Sequence, residues 1–216
     1  DQSPCFTNPD NHAEWKINTF LSDMDQKTID TYNQLAREYD DETAGFWEQF
    51  PRTIFDRFIE SIRGKILDIG SGPGRDGLIL KNRGLTVVCL DASEAMVALS
   101  TQRGLDSIVG DFNSLPFPDK SFDGVWSYTT LLHVPRAEIH KPLNEINRVL
   151  KDRGIFGLGL IEGTTELYQE SSGVGKPRWF SFYTKEEIEN LLKEHGFQEN
   201  YFEQFKVRTK TYLNFI

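Results

Sequence analysis

The stretch KILDIGSGPGRDG, residues 65–77, decides the fold. Ile66, Leu67 and Ile69 form a short apolar run bounded by Gly64 and Gly70, as a strand buried inside a parallel sheet does. Gly70, Gly72 and Gly74, with Ser71 between the first two, then make a turn that permits positive φ and close approach of the backbone to a ligand. Residues 75–81 are predicted to open a helix whose N-terminal amides face the same ligand. Asp68 discriminates between ligands. A dinucleotide fingerprint beginning at Gly70 would place glycine where Arg75 stands and keep the strand apolar, whereas a carboxylate in the strand suits a cationic ligand. A frame shift keeps a second reading open: Gly72, Gly74 and Gly77 satisfy G-x-G-x-x-G, so an NAD-type or flavin-binding oxidoreductase stays an alternative.

From Lys65 onward strand and helix patterns alternate, the signature of a parallel sheet covered on both faces. LTVVCL, residues 85–90, is the second strand and ends at Asp91, where such folds set an acidic side chain against a ribose diol. Ser93 is predicted to cap the next helix, which holds Met96 and stops before Gly104. A short strand at 107–109, a proline-held loop and a strand at 122–128 follow. Helix 137–150 contains Pro142 and is expected to kink or to start late; a turn at 152–154 leads to strand 155–161.

Upstream, Ile29, Tyr32, Leu35, Ala36 and Tyr39 predict a helix over 26–39, then a polar break at 40–45. Trp47, Phe50, Ile54, Phe58 and Ile62 predict a longer helix that Pro51 either kinks or starts. The expected organisation is an irregular N-terminal arm (1–25), a helical cap (26–63) and a core (64–216) with an insertion at 162–183. The chain begins without methionine, carries no charged-then-apolar leader and ends on an apolar run at 212–216; it is expected to be a trimmed form of something slightly longer.

GDFNSLPFPDKSFDGVWS (110–127) and LNEINRVLKDRGIFGLGL (143–160), together with Asp-x-Gly-x-Gly-x-Gly at 68–74, resemble class I S-adenosylmethionine-dependent methyltransferases. The likeness is to the subgroup of ubiquinone-biosynthesis and small-molecule enzymes, over roughly residues 28–205. It implies a Rossmann-like, seven-stranded, mostly parallel sheet with helices on both faces and an antiparallel C-terminal strand. It also implies that S-adenosylmethionine is the cofactor and S-adenosylhomocysteine the product. In that resemblance Asp68, Gly70 and Gly72 face the methionine part, Asp91 the ribose, Ala92 and Met96 the adenine, while Asp111 accepts from the adenine amino group, Phe112 packs beside the ring, and Ser71 and Gly74 are further cofactor-binding residues. Arg153 departs from the family, which carries proline before its glycine there.

A sulfonium is an activated methyl donor, so transfer needs alignment, desolvation and, for some nucleophiles, a base. His133, just after the fourth strand, is the candidate base and a candidate substrate contact; a capping or packing histidine is the alternative. Tyr32 and Tyr39 share a helical face and are candidate lid contacts to substrate, or core. The insertion concentrates Arg178, Trp179, Phe180 and Tyr183 before a helix capped by Thr184 and Glu187. Arg178 and Tyr183 are further substrate candidates, Arg178 through a carboxylate or phosphate; its alternative is a structural pair with a glutamate.

A net charge of −9 over 216 residues counts against a protein that binds by neutralising phosphates, and against anionic membranes. Lys206, Arg208 and Lys210 alternate and are expected to share one strand face, as a solvated edge or as an RNA-contact stripe. Neither Cys/His nor His/carboxylate spacing suggests a metal. Cys89 lies in an apolar strand rather than opposite Cys5, which fits a reducing, cytoplasmic setting. The expected function is methyl transfer to a small molecule by a monomer or homodimer, with an RNA (tRNA) or protein methyltransferase as the alternative.

Overall fold

The computed structural model describes residues 25–170 and 175–216. Apart from Asp25, the expected arm lies outside the described residues, as does Cys5. The strands are β1 (Lys65–Ile69), β2 (Thr86–Asp91), β3 (Asp106–Val109), β4 (Phe122–Tyr128), β5 (Leu150–Ile161), β6 (Glu166–Glu170), β7 (Pro177–Ser181), β8 (Phe202–Val207) and β9 (Lys210–Phe215). The helices are α1 (Gln26–Gln34), α2 (Ala36–Thr43), α3 (Phe46–Gln49), α4 (Thr53–Ser61), α5 (Arg75–Asn82), α6 (Glu94–Gln102), α7 (His140–Val149) and α8 (Lys185–Glu194).

Seven strands form one sheet in the order β3-β2-β1-β4-β5-β9-β8, with β9 running against both neighbours and every other pairing parallel. This is the Rossmann-like sheet that the resemblance implied. The order reverses direction between β1 and β4, which opens a crevice at the carboxyl ends of those strands. Alternation along β1 assigns its two faces. Ile66 joins Phe55, Phe58, Leu80 and Trp126 under α4 and α5, while Leu67 and Ile69 join Val125, Ile146 and Ile188 under α7 and α8. Gly77 lets α5 come that close, since a Cβ there would stand 2.6 Å from Cys89 Sγ.

Several local expectations change. The helix predicted over 26–39 breaks at Leu35, and α2 runs through the predicted polar break to Thr43. Leu35 takes φ −120° and ψ 25°, which turns the second segment over the glycine loop. The long helix splits at Phe50, extended before Pro51 as residues preceding proline are, so Pro51 marks the start of the regular part. α4 does not belong to a cap: Ile54, Phe55 and Phe58 are fully buried against the sheet. Pro142 sits in the first turn of a helix that starts late, at His140. β5 starts at Leu150, five residues before its expected beginning, because a register shift lets 122 and 150 pair across the turn. Arg153 takes φ +63° there, a value closed to proline.

The insertion carries a hairpin, β6 paired antiparallel with β7. The basic alternation at 206–210 also dissolves. Arg208 occupies the turn between β8 and β9 at φ +55°, and the registers Lys206↔Thr211 and Val207↔Lys210 put the two lysines on opposite faces. Lys206 is exposed and Lys210 is half-buried. Among the described residues no helix is long and apolar enough to cross a membrane, and Cys89 is a buried free thiol.

Candidate active site

The crevice at the carboxyl end of β1 is floored by carboxylates. Asp68 is buried, and its Oδ2 has no hydrogen-bond partner. Burial, then the neighbouring Asp76 carboxylate, holds the Asp68 pKa well above the ordinary carboxylate range, against the pull of Arg75. Asp91, at the end of β2, accepts from Gly72 N (2.8 Å) at Oδ2 and from Ser93 N (2.8 Å) at Oδ1. Burial still raises its pKa, although those amides favour the charged form. Asp91 therefore ties the glycine turn to the α6 N-terminus.

Gly70, Gly72 and Gly74 all take positive φ. A Cβ at Gly70 would lie 2.0 Å from Thr130 Cγ2, and one at Gly74 2.5 Å from Leu105 Cδ1. At Gly72 the direction is open, with Tyr39 Cε1 at 4.0 Å as the nearest atom. Gly72 thus presents bare backbone to the crevice, while Gly70 and Gly74 are required by packing.

The roof comes from the N-terminal helices. Asn33 Oδ1 accepts from Ser93 Oγ (2.7 Å) and Ala95 N (3.2 Å), docking α1 on the start of α6. Arg103 Nη2 donates to both carboxylate oxygens of Asp40 (2.7 Å each), and Arg75 donates to Thr43 O (2.8 Å) with its guanidinium 4.7 Å from the Phe46 ring. These bonds hold the C-terminal half of α2 over the glycine turn. Beneath it, Asp76 accepts from the indoles of Trp47 (2.7 Å) and Trp126 (2.9 Å).

A second cavity adjoins the crevice and shares Tyr32, Tyr39, Thr129 and His133 with it. His133 sits at the junction. Its Nδ1 lies 2.6 Å from Trp179 O, which fixes the proton on that nitrogen, so Nε2 accepts from the Tyr32 hydroxyl at 2.8 Å. Arg178 donates to the same hydroxyl at 2.5 Å. Burial, with Arg178 nearby, pushes the His133 pKa down to about 3, and burial raises that of Tyr32. The imidazole is therefore neutral and both nitrogens are engaged.

Residues 67–158 match the family described as a methyltransferase domain. The chain is 38% identical over 105 residues to a sterol 24-C-methyltransferase of Gibberella zeae, a match covering 44% of this chain and 27% of that one. It is 26% identical over 182 residues to an uncharacterized methyltransferase of Oceanobacillus iheyensis, covering 80% and 83%. The complex of DhpI with S-adenosylhomocysteine superposes with a TM-score of 0.70 at 21% identity, covering 89% of this chain and 98% of that one, and so shares the fold.

Residues 67–158 form a methyltransferase domain. It is an enzyme domain, and S-adenosylmethionine is the donor that the resemblance at 68–74 implies. The crevice fits that donor on its own chemistry. A buried carboxylate oxygen without a partner at Asp68 matches an ammonium, and Asp91 retains lone pairs for hydroxyls.

Of the residues expected at the cofactor, Asp68, Gly70, Ser71, Gly72, Asp91, Ala92, Met96 and Phe112 line the crevice of the methyltransferase domain. Gly74 does not, serving instead as the φ +83° residue before α5. Asp111 does not line it either; its Oδ1 accepts from Asn113 N (2.7 Å), which shapes the turn that presents Phe112. Tyr32, Tyr39, His133 and Arg178 line the second cavity. Tyr183 reaches neither cavity: it is 1% exposed, with the Arg136 guanidinium 4.7 Å from its ring. Its position before the helix cap brings it into the core, not to the mouth of the site. Sequence reading missed Asn33, Asp76, Thr129 and Tyr212, and it set Lys210 on a shared strand face with Lys206 rather than at the second cavity. Only Asp76, two residues past Gly74 in the quoted stretch, carried a local signal.

Proposed function

We propose that the protein is an S-adenosylmethionine-dependent methyltransferase acting on a small molecule held in the second cavity. One observation supports this above others. An aromatic-walled cavity, with Tyr32, Tyr39, Phe46, Phe180 and Tyr212 in its lining, opens on the cofactor crevice through side chains common to both. Asp68 is the proposed partner of the donor's ammonium and Asp91 of its ribose hydroxyls. Gly70, Ser71 and Gly72 give backbone contacts, Ala92, Met96 and Phe112 an apolar seat for the adenine, and Asp111 fixes the loop that carries Phe112. The bound donor supplies a methyl group on a sulfonium whose sulfur keeps the bonding pair when the group passes to the acceptor. The protein aligns the acceptor and excludes water, with Tyr39 and Thr129 at the junction.

His133 acts as a positioning residue in this reading. Its neutral Nε2 holds the Tyr32 hydroxyl, and the acceptor meets Tyr32 rather than a free imidazole lone pair. A macromolecular acceptor is disfavoured by the net charge of −9 and by the opposed faces of Lys206 and Lys210. A cytoplasmic location is part of the proposal, in keeping with the unpaired Cys89.

Calorimetric titration with S-adenosylhomocysteine, with NADH in parallel, tests the assignment. One-site binding of S-adenosylhomocysteine alone is expected, and labelled S-adenosylmethionine then reports transfer to candidate small molecules. Binding of NADH without S-adenosylhomocysteine would overturn it.

A further inference from the structure

The second cavity encloses about 160 Å³, less than the roughly 300–1,000 Å³ of sites that hold a small molecule. Its inner walls at Leu132, Ile161 and Phe180 are buried. Its outer wall is shared. Glu42, Thr43, Phe46, Lys210 and Tyr212 also line a groove of about 260 Å³ that runs on between α3 and the β8–β9 hairpin. Glu42, the exposed residue of the cavity lining, is among those shared, so the cavity opens onto the groove. With the groove added, the space reaches the size that a ligand needs.

Chain geometry makes both sides of the groove apolar. The registers Phe205↔Tyr212 and Val207↔Lys210, with Arg208 and Thr209 in the turn, set Phe205, Val207, Lys210 and Tyr212 on one face of the hairpin. Facing it, the Phe46 and Phe50 rings stack with centroids 4.0 Å apart, and Phe50 meets the Tyr212 ring edge-on at 5.1 Å. Phe46, Phe50 and Val207 nonetheless remain only half-buried, while Gln49, Arg208 and Thr209 form an exposed polar rim. Apolar walls left partly wet beside an inner cavity favour an apolar occupant, because covering them removes that surface from water.

We propose that the methyl acceptor is elongated, with a small reactive head in the second cavity and an apolar tail, an alkyl chain or a flat ring, lying in the groove against Phe50, Val207 and Tyr212. This rests on the methyl-transfer reading above and names the class of its acceptor. The head meets Tyr39 and Thr129 at the crevice, and Phe46 and Tyr212, common to cavity and groove, flank the passage from head to tail. A short polar acceptor leaves the groove walls as wet as before, so the tail supplies binding energy that the cavity alone does not. Selection by tail length falls to the β8–β9 hairpin, an addition to the parallel part of the sheet.

The test uses the whole chain and three phenols with a common head: 4-methylphenol, 4-butylphenol and 4-phenylphenol. Each is titrated calorimetrically into the protein alone and into protein saturated with S-adenosylhomocysteine, for wild type, Val207→Asp and Val207→Leu. 4-Butylphenol is expected to bind at least about tenfold more tightly than 4-methylphenol, through the methylenes it buries. Whether the butyl or the phenyl tail gains more identifies the chain or the ring as the natural form. Val207→Asp places a carboxylate on the groove wall and should bring the long and short phenols to within about twofold of each other. Val207→Leu should keep the gain, and all three proteins should bind S-adenosylhomocysteine equally. Equal affinity for short and long phenols, a gain that survives Val207→Asp, or no binding of 4-butylphenol up to about 2 mM would overturn the inference. With S-adenosylhomocysteine binding intact, those outcomes leave the methyl-transfer reading standing. Absence of S-adenosylhomocysteine binding with a persistent tail gain would instead break that reading and keep the groove.

Discussion

The cofactor crevice draws its polar floor from short runs of contiguous sequence, 68–76 and 91–96, at the ends of adjacent strands. The acceptor cavity beside it takes Tyr32 from α1, Thr43 from α2, Arg178 from β7 and Lys210 from β9, segments separated by up to 178 residues. The crevice holds Asp68, Asp76 and Asp91 together with Arg75, and the cavity holds Arg178 and Lys210 together with Glu42. A backbone turn and a strand end can be specified locally, because neighbours in the chain are neighbours in space. A wall assembled from an edge strand, a hairpin and a cap helix exists only after the whole sheet has closed.

Gly72→Val attacks the local half most severely. The site takes φ +55°, costly for a β-branched residue, and the added side chain projects toward Tyr39 across the open crevice. S-adenosylhomocysteine affinity is expected to fall by at least about 100-fold, read by calorimetry. An affinity within about threefold of wild type would mean that the donor does not pass over Gly72.

Asp68→Asn should produce two effects of opposite sign. S-adenosylhomocysteine binding weakens by about tenfold or more, through loss of a charge-assisted contact. The ligand-free protein is expected to gain stability. The Asp68 pKa is raised on folding, so its contribution is fully present below the unfolded value of about 3.9 and is lost as pH rises through the folded value. An asparagine escapes that loss. Thermal melts at neutral pH should therefore place the variant above wild type without ligand and reduce the shift that ligand gives. A lower melting temperature for the ligand-free variant would show that the Asp68 charge is satisfied in a way the burial does not reveal.

The same contrast explains how far the sequence could be read. The alternation 65–128 and the capping pairs Ser93 with Met96 and Thr184 with Glu187 are local, and each stands where expected. Asp68 and Asp91 were legible because strand ends at a switch point converge whatever the side chains around them are. Lys210 was not. In sequence it alternates with Lys206 and Arg208, and only the positive φ at Arg208, which closes a hairpin, moves it to the inner face. Tyr183 failed in the opposite direction, since its aromatic neighbours Trp179 and Phe180 gave no sign of which ring would be drawn under Arg136. The Leu35 break was hidden because an apolar residue there continues the helical period across a change of direction.

His133 connects the two regions, and pH separates its roles. Its pKa falls to about 3 on folding, so the stability it contributes is complete above the unfolded value of about 6.5 and is lost as pH falls from there toward 3. Wild-type melting temperature should decline over that interval, and His133→Asn should decline less. S-adenosylhomocysteine affinity should remain within about threefold in the variant, because the crevice carboxylates do not touch the ring. A turnover profile with a titration near pH 6.5 that vanishes in the variant would restore His133 as a general base and displace the positioning role.

The smallest expected effect concerns how the acceptor wall is fastened. Thr28, in the first turn of α1, accepts from Trp179 N at 2.8 Å while its hydroxyl donates to Asp25, and Thr31 Oγ1 donates to Pro177 O at 3.2 Å. The hairpin is thus pinned to α1 at the strand that carries Arg178, and the backbone carbonyl of Trp179 in turn orients His133. Thr28→Val keeps the shape and removes the bonds, for a cost of about 1 kcal/mol, or about 2–4 °C in melting temperature for a chain of this size. Cofactor affinity should not change. A change in cofactor affinity of equal size would mean that α1 transmits the position of the hairpin to the crevice through Asn33 and Ser93, and that the acceptor wall and the cofactor floor move as one body.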